Sequence, residues 1–189
     1  MLSCLYSLKA RLPKGLACLL LSLMVLAPRP TFAAPPDVAT YHNDNARTGL
    51  NAKEGALKPS NVNANGFGAL FVQPVDGQVY AQPLYLFGVT MADKLVHNVV
   101  YVATAHNSVY AFDADSNVGA NANPLWQVNF GPSVPNDEVG SDDIYPEIGI
   151  IGTPVIDRAS GTLYVVSKVR GTDKSGNATY THQLHALDI

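Results

Sequence analysis

Residues 108–115 read Ser-Val-Tyr-Ala-Phe-Asp-Ala-Asp, and residues 183–189 read Gln-Leu-His-Ala-Leu-Asp-Ile. Both segments contain an aromatic residue or histidine, then alanine, a large apolar residue and aspartate. Each is preceded by a strand pattern centred on a tyrosine–valine pair, and before that by an apolar run that carries a proline. A unit that recurs at a long period predicts an array of similar modules.

Alignment of the two copies gives three pairs of corresponding segments. The offsets within the pairs are 71, 63 and 75 residues, and they differ because loop lengths vary between repeats. The pairs are 82–85 with 153–156, 100–103 with 163–166, and 109–113 with 184–188.

A fourth strand, 124–128, follows the first copy, whereas the chain ends before a counterpart follows the second. The pattern therefore predicts an all-β fold of antiparallel four-stranded units, as in the blades of a propeller. The units are expected at residues 67–130 and 149–189, with the second truncated, so that the chain supplies an incomplete propeller of two blades.

Short runs of β-branched and aromatic residues predict the individual strands, and no window of a dozen residues has an apolar stripe of helical period. Asp76-Gly77 predicts a hairpin turn between the first two strands. Polar loops are predicted at 132–146 and 170–179. The predicted strands are 67–75, 78–86, 98–105, 108–114, 125–130, 149–157, 162–169 and 182–189.

Two features favour propeller blades over a sandwich. Pro83 and Pro154 fall in the first strand of each unit, and proline suits a strand start or a sheet edge because it donates no ladder hydrogen bond. In a propeller, the first strand of each blade is such an edge and lines the central channel. The inner strands around 99–102 and 163–166 are continuously apolar, as expected for blades covered on both faces.

The first 33 residues have the pattern of a secretory signal peptide. Lys9, Arg11 and Lys14 form a basic segment, residues 15–27 are uncharged and apolar, and small residues allow cleavage before Ala34. A membrane anchor is the alternative, but this run of 13 residues is shorter than the roughly 20 that a spanning helix needs. We therefore expect export to the periplasm or the cell exterior, with no membrane span after cleavage.

Loss of this leader would change both the cysteine content and the charge. Cys4 and Cys18 both lie in it, so the mature chain would have no disulfide and would depend on packing and sheet hydrogen bonds. Four of the 12 basic residues would go and none of the 15 acidic ones, leaving a net charge of −7. That balance argues against a nucleic-acid partner, whose phosphates need a basic footprint. Residues 34–66 are expected to form an extended, polar N-terminal segment.

Five carboxylates occur close together before the second unit: Asp137, Glu138, Asp142, Asp143 and Glu147. Calcium binds carboxylate and carbonyl oxygens, so Asp142, Asp143 and Glu147 are candidate calcium ligands. The spacing is not that of an EF-hand, and a solvated loop is the alternative. Glu147 directly precedes the predicted channel strand, where it could bind a metal or a sugar hydroxyl, or simply accept backbone hydrogen bonds.

Other polar residues give weaker signals. His42, Asp44 and Arg47 could form a site near the N-terminus, or Asp44 and Arg47 could pair with each other or cap turns. His106 falls in a predicted tight turn. No histidine pair has the spacing of a zinc site, and no glycine loop of the phosphate-binding kind occurs.

The motifs resemble the pyrroloquinoline quinone (PQQ) repeats of quinoprotein alcohol dehydrogenases and of non-enzymatic relatives such as the outer-membrane assembly lipoprotein. The resemblance rests on Tyr-Ala-Phe-Asp-Ala-Asp followed by Leu-Trp, and on Gly-Thr-Pro-Val-Ile-Asp, Ser-Gly-Thr-Leu-Tyr-Val-Val and Leu-His-Ala-Leu-Asp in the second copy. It covers most of residues 41–189 and implies that Trp126 docks between blades. The other structural positions of the repeat are Asp113, Asp188, Pro83 and Pro154.

In the dehydrogenases of this family, PQQ is held by a calcium ion, a catalytic aspartate, an arginine and usually a vicinal disulfide. The mature chain would have no cysteine, and residues from later blades would lie outside it. The expected function is therefore a non-catalytic binding or scaffold module. The alternative is the N-terminal part of a PQQ- and calcium-dependent dehydrogenase that oxidises alcohols or sugars.

The expected partners follow from the incomplete propeller. Two blades would leave an apolar face and open sheet edges exposed. We therefore expect the chain to associate with the missing blades or with itself through exposed blade faces, and to be poorly stable or oligomeric when isolated.

Overall fold

A computed structural model describes residues 36–140 and 143–189, and within them the predicted all-β class is confirmed. The predicted signal peptide and Asp142 lie outside the described residues. Short 3-10 turns occur at Gly119–Ala122 and Asn136–Glu138, and no described helix has the length and apolar character to cross a membrane. The strands are β1 Leu84–Thr90, β2 Val96–Ala103, β3 Ser108–Asp113, β4 Trp126–Asn129, β5 Val134–Pro135, β6 Glu147–Ile148, β7 Val155–Asp157, β8 Thr162–Thr172 and β9 Ala178–Asp188.

Strands β1 to β4 form an antiparallel sheet in sequence order, here called the N-sheet. All six residues of β3 are buried, which explains why its sequence does not alternate between apolar and polar residues. The turn from β2 to β3 is tight because Asn107 adopts a left-handed conformation, with φ at 61°, that asparagine tolerates.

Strands β7 to β9 form a second antiparallel sheet, the C-sheet, and β5 pairs with β6 in a small separate ladder. The predicted bounds of the polar loop at 170–179 are wrong, because β8 continues to Thr172 and β9 begins at Ala178, so that a long hairpin covers half of this range. The hairpin turn is closed by Asp173, whose carboxylate accepts the backbone N–H groups of Ser175 and Asn177, each at 2.8 Å.

Two other strand predictions also need correction. Residues 67–75 contain no strand, and Asp76-Gly77 is not a hairpin turn. The Asp76 carboxylate instead accepts the hydroxyl groups of Thr104 and Ser108, at 2.9 and 2.6 Å, and so holds the β2–β3 turn.

The predicted first strands of both units begin later than expected. β1 starts directly after Pro83, and β7 directly after Pro154. Both prolines thus occupy the start of a strand, where the missing N–H costs no ladder hydrogen bond.

The strand registers reproduce the alignment of the two sequence copies. In each sheet the tyrosine of the second strand faces the residue that follows the proline on one side and the alanine of the third strand on the other. The two units are therefore structural repeats over three strands. The corresponding triplets are Leu84–Tyr101–Ala111 and Val155–Tyr164–Ala186.

One hydrophobic cluster joins the inner face of the N-sheet to the inner face of the C-sheet. Trp126 is partly buried and packs against this cluster, with its ring 5.9 Å from that of Tyr101. At another point of the contact Phe130 stacks on His185, with ring centroids 3.7 Å apart. The inner-face residues are Leu84, Leu86, Val99, Tyr101, Ala103, Val109 and Ala111 of the N-sheet, and Ile156, Leu163 and Val165 of the C-sheet.

Candidate functional site

The segment before residue 50 crosses the starts of both first strands. Val38 forms a β-bridge with Tyr85 of β1, and the carbonyl group of Ala39 accepts the N–H of Ile156 in β7 at 2.8 Å. The chain then turns sharply, because His42, Asn43 and Arg47 all adopt positive φ. Such strained backbone in residues other than glycine is a common feature of binding and catalytic sites.

Asp44 fixes this turn, as one of the two alternatives predicted. Its carboxylate accepts the backbone N–H of Thr48 at 3.1 Å and also the Thr48 hydroxyl. These hydrogen bonds lower the pKa of Asp44. The prediction that Asp44 caps a turn is confirmed.

Arg47 borders an open cleft of about 420 Å³ between the N-terminal segment and the starts of the two first strands. Its guanidinium donates to the Thr40 hydroxyl and to the carbonyl oxygen of Tyr41, and no ion pair to Arg47 is found within residues 36–140 and 143–189. The guanidinium lies 6.0 Å from the centre of the Tyr41 ring. A guanidinium at an open cleft suits a planar anionic group. The cleft is lined by Tyr41, Arg47, Tyr80, Ile151, Gly152 and Thr153.

Beside the cleft, Glu147 and His106 form a carboxylate–imidazole pair. The Nδ1 atom of His106 lies 2.9 Å from each carboxylate oxygen of Glu147, and the Ser133 hydroxyl donates to the same carboxylate. A proton on Nδ1 would point at the carboxylate, which fixes the orientation of the ring. The His106 side chain is 51% exposed. Tyr80, which lines the cleft, has its hydroxyl 3.3 Å from the carbonyl oxygen of Tyr145, two residues before Glu147.

Gly77 and Gly149 permit the close approach of the loops around this pair. A Cβ atom on Gly77 would lie 2.8 Å from the Cβ of His106, and φ at Gly77 is 61°. A Cβ on Gly149 would lie 2.2 Å from the carbonyl oxygen of Ala105. Only glycine fits either position without displacing the β2–β3 turn.

The predicted calcium ligands are distributed as follows. Glu147 contacts His106 and Ser133, Asp143 is exposed, and Asp142 lies outside the described residues. Glu138, from the same acidic segment, pairs with Arg170, which lowers the pKa of this carboxyl. Within residues 36–140 and 143–189, no three acidic, histidine or cysteine side chains lie together so that they could hold a metal ion.

The described residues therefore do not fit the whole PQQ and calcium set that the resemblance implies. Arg47 is a cation at an open cleft, and no described group of metal ligands accompanies it. Residues 36–189 also contain no cysteine for a vicinal disulfide. The calcium prediction for Asp142, Asp143 and Glu147 stays a prediction.

One histidine lies between two carboxylates, an arrangement that the sequence pattern does not reveal. In His97, Nδ1 lies 2.7 Å from Asp113 and Nε2 lies 3.0 Å from Asp93. The hydrogen bond to Asp113 and then that to Asp93 raise the pKa of His97. The Asp93–His97 spacing is visible in the sequence, but the partner from β3 depends on strand pairing. This cluster ties the β1–β2 hairpin to β3 and has a structural role.

No protein-family model, curated protein or solved structure matches this chain.

Proposed function

We propose that this chain is an exported, non-catalytic binding module made of propeller-type repeats, and that the outer face of its C-sheet receives another β-sheet. The outer face means the side of the C-sheet that points away from the N-sheet, formed by Val155, Tyr164, Val166 and Leu184. One observation carries the proposal. These four residues are repeat counterparts of four residues that are buried in the N-sheet.

The exposures of the two sets differ sharply. The outer-face side chains are between 40 and 73% exposed, whereas their counterparts are at most 2% exposed. The counterparts, in the same order, are Leu84, Tyr101, Ala103 and Val109.

The physical reason for the difference is the neighbouring sheet. The N-sheet residues are covered by the C-sheet, and nothing described covers the outer face. Burial of a valine or leucine side chain contributes about 1.5–3 kcal/mol, so a contiguous apolar face favours a partner that covers it. The outer face of the C-sheet carries apolar side chains in the same register as the buried face of the N-sheet. We therefore expect it to bind the same kind of partner, the apolar face of another sheet.

The edge of the C-sheet supports the same conclusion. In the N-sheet, β3 pairs with β4, but its counterpart β9 has no described strand on its far side. An open edge next to an apolar face is a site at which another β-strand can pair.

Site-specific photocrosslinking in exporting cells tests the proposal. A photoreactive amino acid at Leu184 should form crosslinks that map to apolar strand residues of a repeat sheet. The same amino acid at Leu95, which is 60% exposed in the β1–β2 turn, serves as the control. Crosslinks from position 184 that are no more frequent than those from position 95 would contradict the proposal.

The dehydrogenase alternative is favoured by one observation, the Arg47 cleft. Titration of the purified chain with PQQ and calcium, followed by quinone absorbance and by dye reduction with alcohols, separates the two functions. Our proposal predicts no saturable binding. Saturable, calcium-dependent binding that Arg47→Gln abolishes would favour the N-terminal part of a dehydrogenase.

A further inference from the structure

Each chain carries both halves of the contact that joins its own two sheets. One half is the inner face of the N-sheet, and the outer face of the C-sheet repeats it, as described above. The other half is the inner face of the C-sheet, which includes Ile156, Leu163 and Leu187.

The second half recurs on the outer side of the N-sheet. Across the strands, Ile156 pairs with Leu163 and Leu163 with Leu187. In the N-sheet, the counterparts Tyr85, Val100 and Phe112 pair in the same order. These three residues and Val102 define the outer face of the N-sheet.

This outer face is covered only in part. Residues 71–79 run over it without forming a strand and leave an apolar groove of about 300 Å³. The flanking Val72 and Leu70 are 78 and 89% exposed, so the apolar surface continues beyond the groove. The groove is lined by Phe71, Val75, Val79, Pro83, Val100 and Val102, among others.

The covering segment is anchored at Asp76 and Gln78, since the Asp76 carboxylate accepts the hydroxyl groups of Thr104 and Ser108 and the carbonyl oxygen of Gln78 accepts the N–H of Ala105 at 2.8 Å. Residues 71–75 have fewer hydrogen bonds. Among the described contacts, Gln73 donates to the carbonyl oxygen of Asn121 at 3.0 Å, and the carbonyl oxygen of Val72 accepts Asn117 at 3.3 Å. The N–H of Asp76 donates to the Tyr110 hydroxyl at 3.2 Å. A sheet packed on this face could displace residues 71–75 at the cost of the hydrogen bonds of Val72 and Gln73, while Asp76 and Gln78 stay anchored.

We infer that the partner of the outer C-sheet face is a second copy of this chain, bound through the groove on its N-sheet. This inference rests on the proposed function and adds the identity of the partner and the mode of docking. The contact is head to tail, because one copy uses its C-sheet and the next uses its N-sheet. Repetition of such a heterologous contact produces a ring when the rotation closes and an open chain when it does not.

A set of three exposed positions tests this arrangement. Leu184→Glu places a charge on the outer C-sheet face, and Val79→Glu places one at the groove. Leu95→Glu makes the same change as Leu184→Glu at an exposed position away from both surfaces. All three side chains are at least 43% exposed, so the variants should fold, and thermal unfolding monitored by circular dichroism verifies it.

Sedimentation velocity over a concentration series gives the readout. The unaltered chain and Leu95→Glu should form assemblies larger than a dimer, or a closed ring, whereas Leu184→Glu and Val79→Glu should each stay monomeric. An equimolar mixture of the two monomeric variants should form a 1:1 heterodimer and nothing larger. Only one intact pair of surfaces remains in that mixture, the C-sheet face of Val79→Glu and the groove of Leu184→Glu.

The possible negative results distinguish failure of self-association from failure of the proposed function. An unaltered chain that is monomeric at every concentration would overturn self-association, while crosslinks from position 184 to another repeat protein would leave the proposed function standing. Normal assembly of Val79→Glu would show docking of two C-sheet faces and would overturn the head-to-tail arrangement. Normal assembly of Leu184→Glu, with no crosslinks from position 184, would overturn both.

Discussion

At the scale of single residues, protonation of His97 strengthens the contacts that hold the β1–β2 hairpin to β3. It lies between the carboxylates of Asp113 and Asp93, and its side chain is only 9% exposed. Both hydrogen bonds favour the imidazolium form and raise the pKa of His97. The folded state therefore binds this proton more tightly than the unfolded state does.

The pH dependence of stability follows from this shift. The stabilisation is complete below the unfolded-state pKa of about 6.5 and is lost as the pH rises through the folded-state pKa. The unaltered chain should therefore exceed His97→Gln in free energy of unfolding by a margin that shrinks across that range. Denaturant unfolding of both proteins at several pH values measures the margin. A margin independent of pH would contradict the assignment.

His185 should titrate in the opposite direction. It stacks on Phe130 at the contact between the sheets, and burial lowers its pKa. Its neutral ring lies 2.8 Å from the Ser167 hydroxyl. In an NMR titration of the imidazole signals, we expect the midpoint of His185 below about 6.5 and that of His97 above it. Equal midpoints for the two rings would show that the pairing around His97 or the burial of His185 is incorrect.

Gly149 should be intolerant of any side chain. An added Cβ would meet the carbonyl oxygen of Ala105 at 2.2 Å, and backbone cannot move aside as a flexible side chain can. Overpacking of this kind costs about 1–3 kcal/mol, and Gly149→Ala should lose at least that amount of unfolding free energy. Gly152→Ala is the matched control, since a Cβ atom added there would meet nothing within 4 Å and the residue has no positive φ. Equal stability of the two variants would contradict the close approach.

At the scale of elements, the β8–β9 hairpin is the structure that local sequence describes least well. Residues 170–179 are polar, and polarity predicts a loop, yet the ladder continues from Arg170 paired with Tyr180 to Thr172 paired with Ala178. Glu138 binds both Arg170, at 2.8 Å, and the Tyr180 hydroxyl, at 2.8 Å. These contacts come from a distant part of the sequence, so they cannot be inferred from the hairpin itself.

The tip of this hairpin gives a prediction at the same scale. Asp173 accepts three hydrogen bonds from Ser175 and Asn177, and these lower its pKa. Asp173→Ala should increase the rate of amide hydrogen exchange in residues 171–179, with little change near β7. Lys174→Ala, in the same turn, should leave the exchange unchanged. Equal exchange rates in both variants would show that Asp173 does not hold the turn.

The strands that the sequence predicts best are those buried on both sides. Continuous apolar runs predict β2 and β3, and the alignment alone predicts the register between repeats. The run at 67–75 is equally apolar but lies on a sheet without pairing to it. An apolar run alone does not establish burial, since Leu70 and Val72 of this run are 89 and 78% exposed. Strand formation also requires a neighbouring strand, which a local pattern does not reveal.

The sequence predicts single residues of the candidate site but not the contacts between them. The sequence places Glu147 at the mouth of a first strand, but its partners His106 and Ser133 come from two other loops. Pairing of Arg47 with Asp44 is one expectation from the sequence, and the turn instead directs Arg47 to Thr40 and a cleft. Each of these contacts depends on how separate loops meet, which spacing in the sequence does not determine.

At the scale of the whole molecule, equivalent positions of the two sheets differ in burial. The same three-strand register places Tyr101 inside the protein and Tyr164 on its surface. This difference in burial between equivalent positions is what the proposed function and the head-to-tail assembly both explain. We expect an isolated copy to associate as its concentration rises, because association covers the exposed apolar outer face of the C-sheet.

The most direct test of the central claim is the accessibility of the outer face as a function of protein concentration. Hydroxyl-radical footprinting with mass spectrometry measures the reactivity of Leu184 and Tyr164, with the exposed Leu95 as the internal reference. Our account predicts that Leu184 and Tyr164 lose reactivity relative to Leu95 as concentration rises, and that Val79→Glu prevents this loss. Unchanged reactivity of Leu184 at every concentration would contradict it.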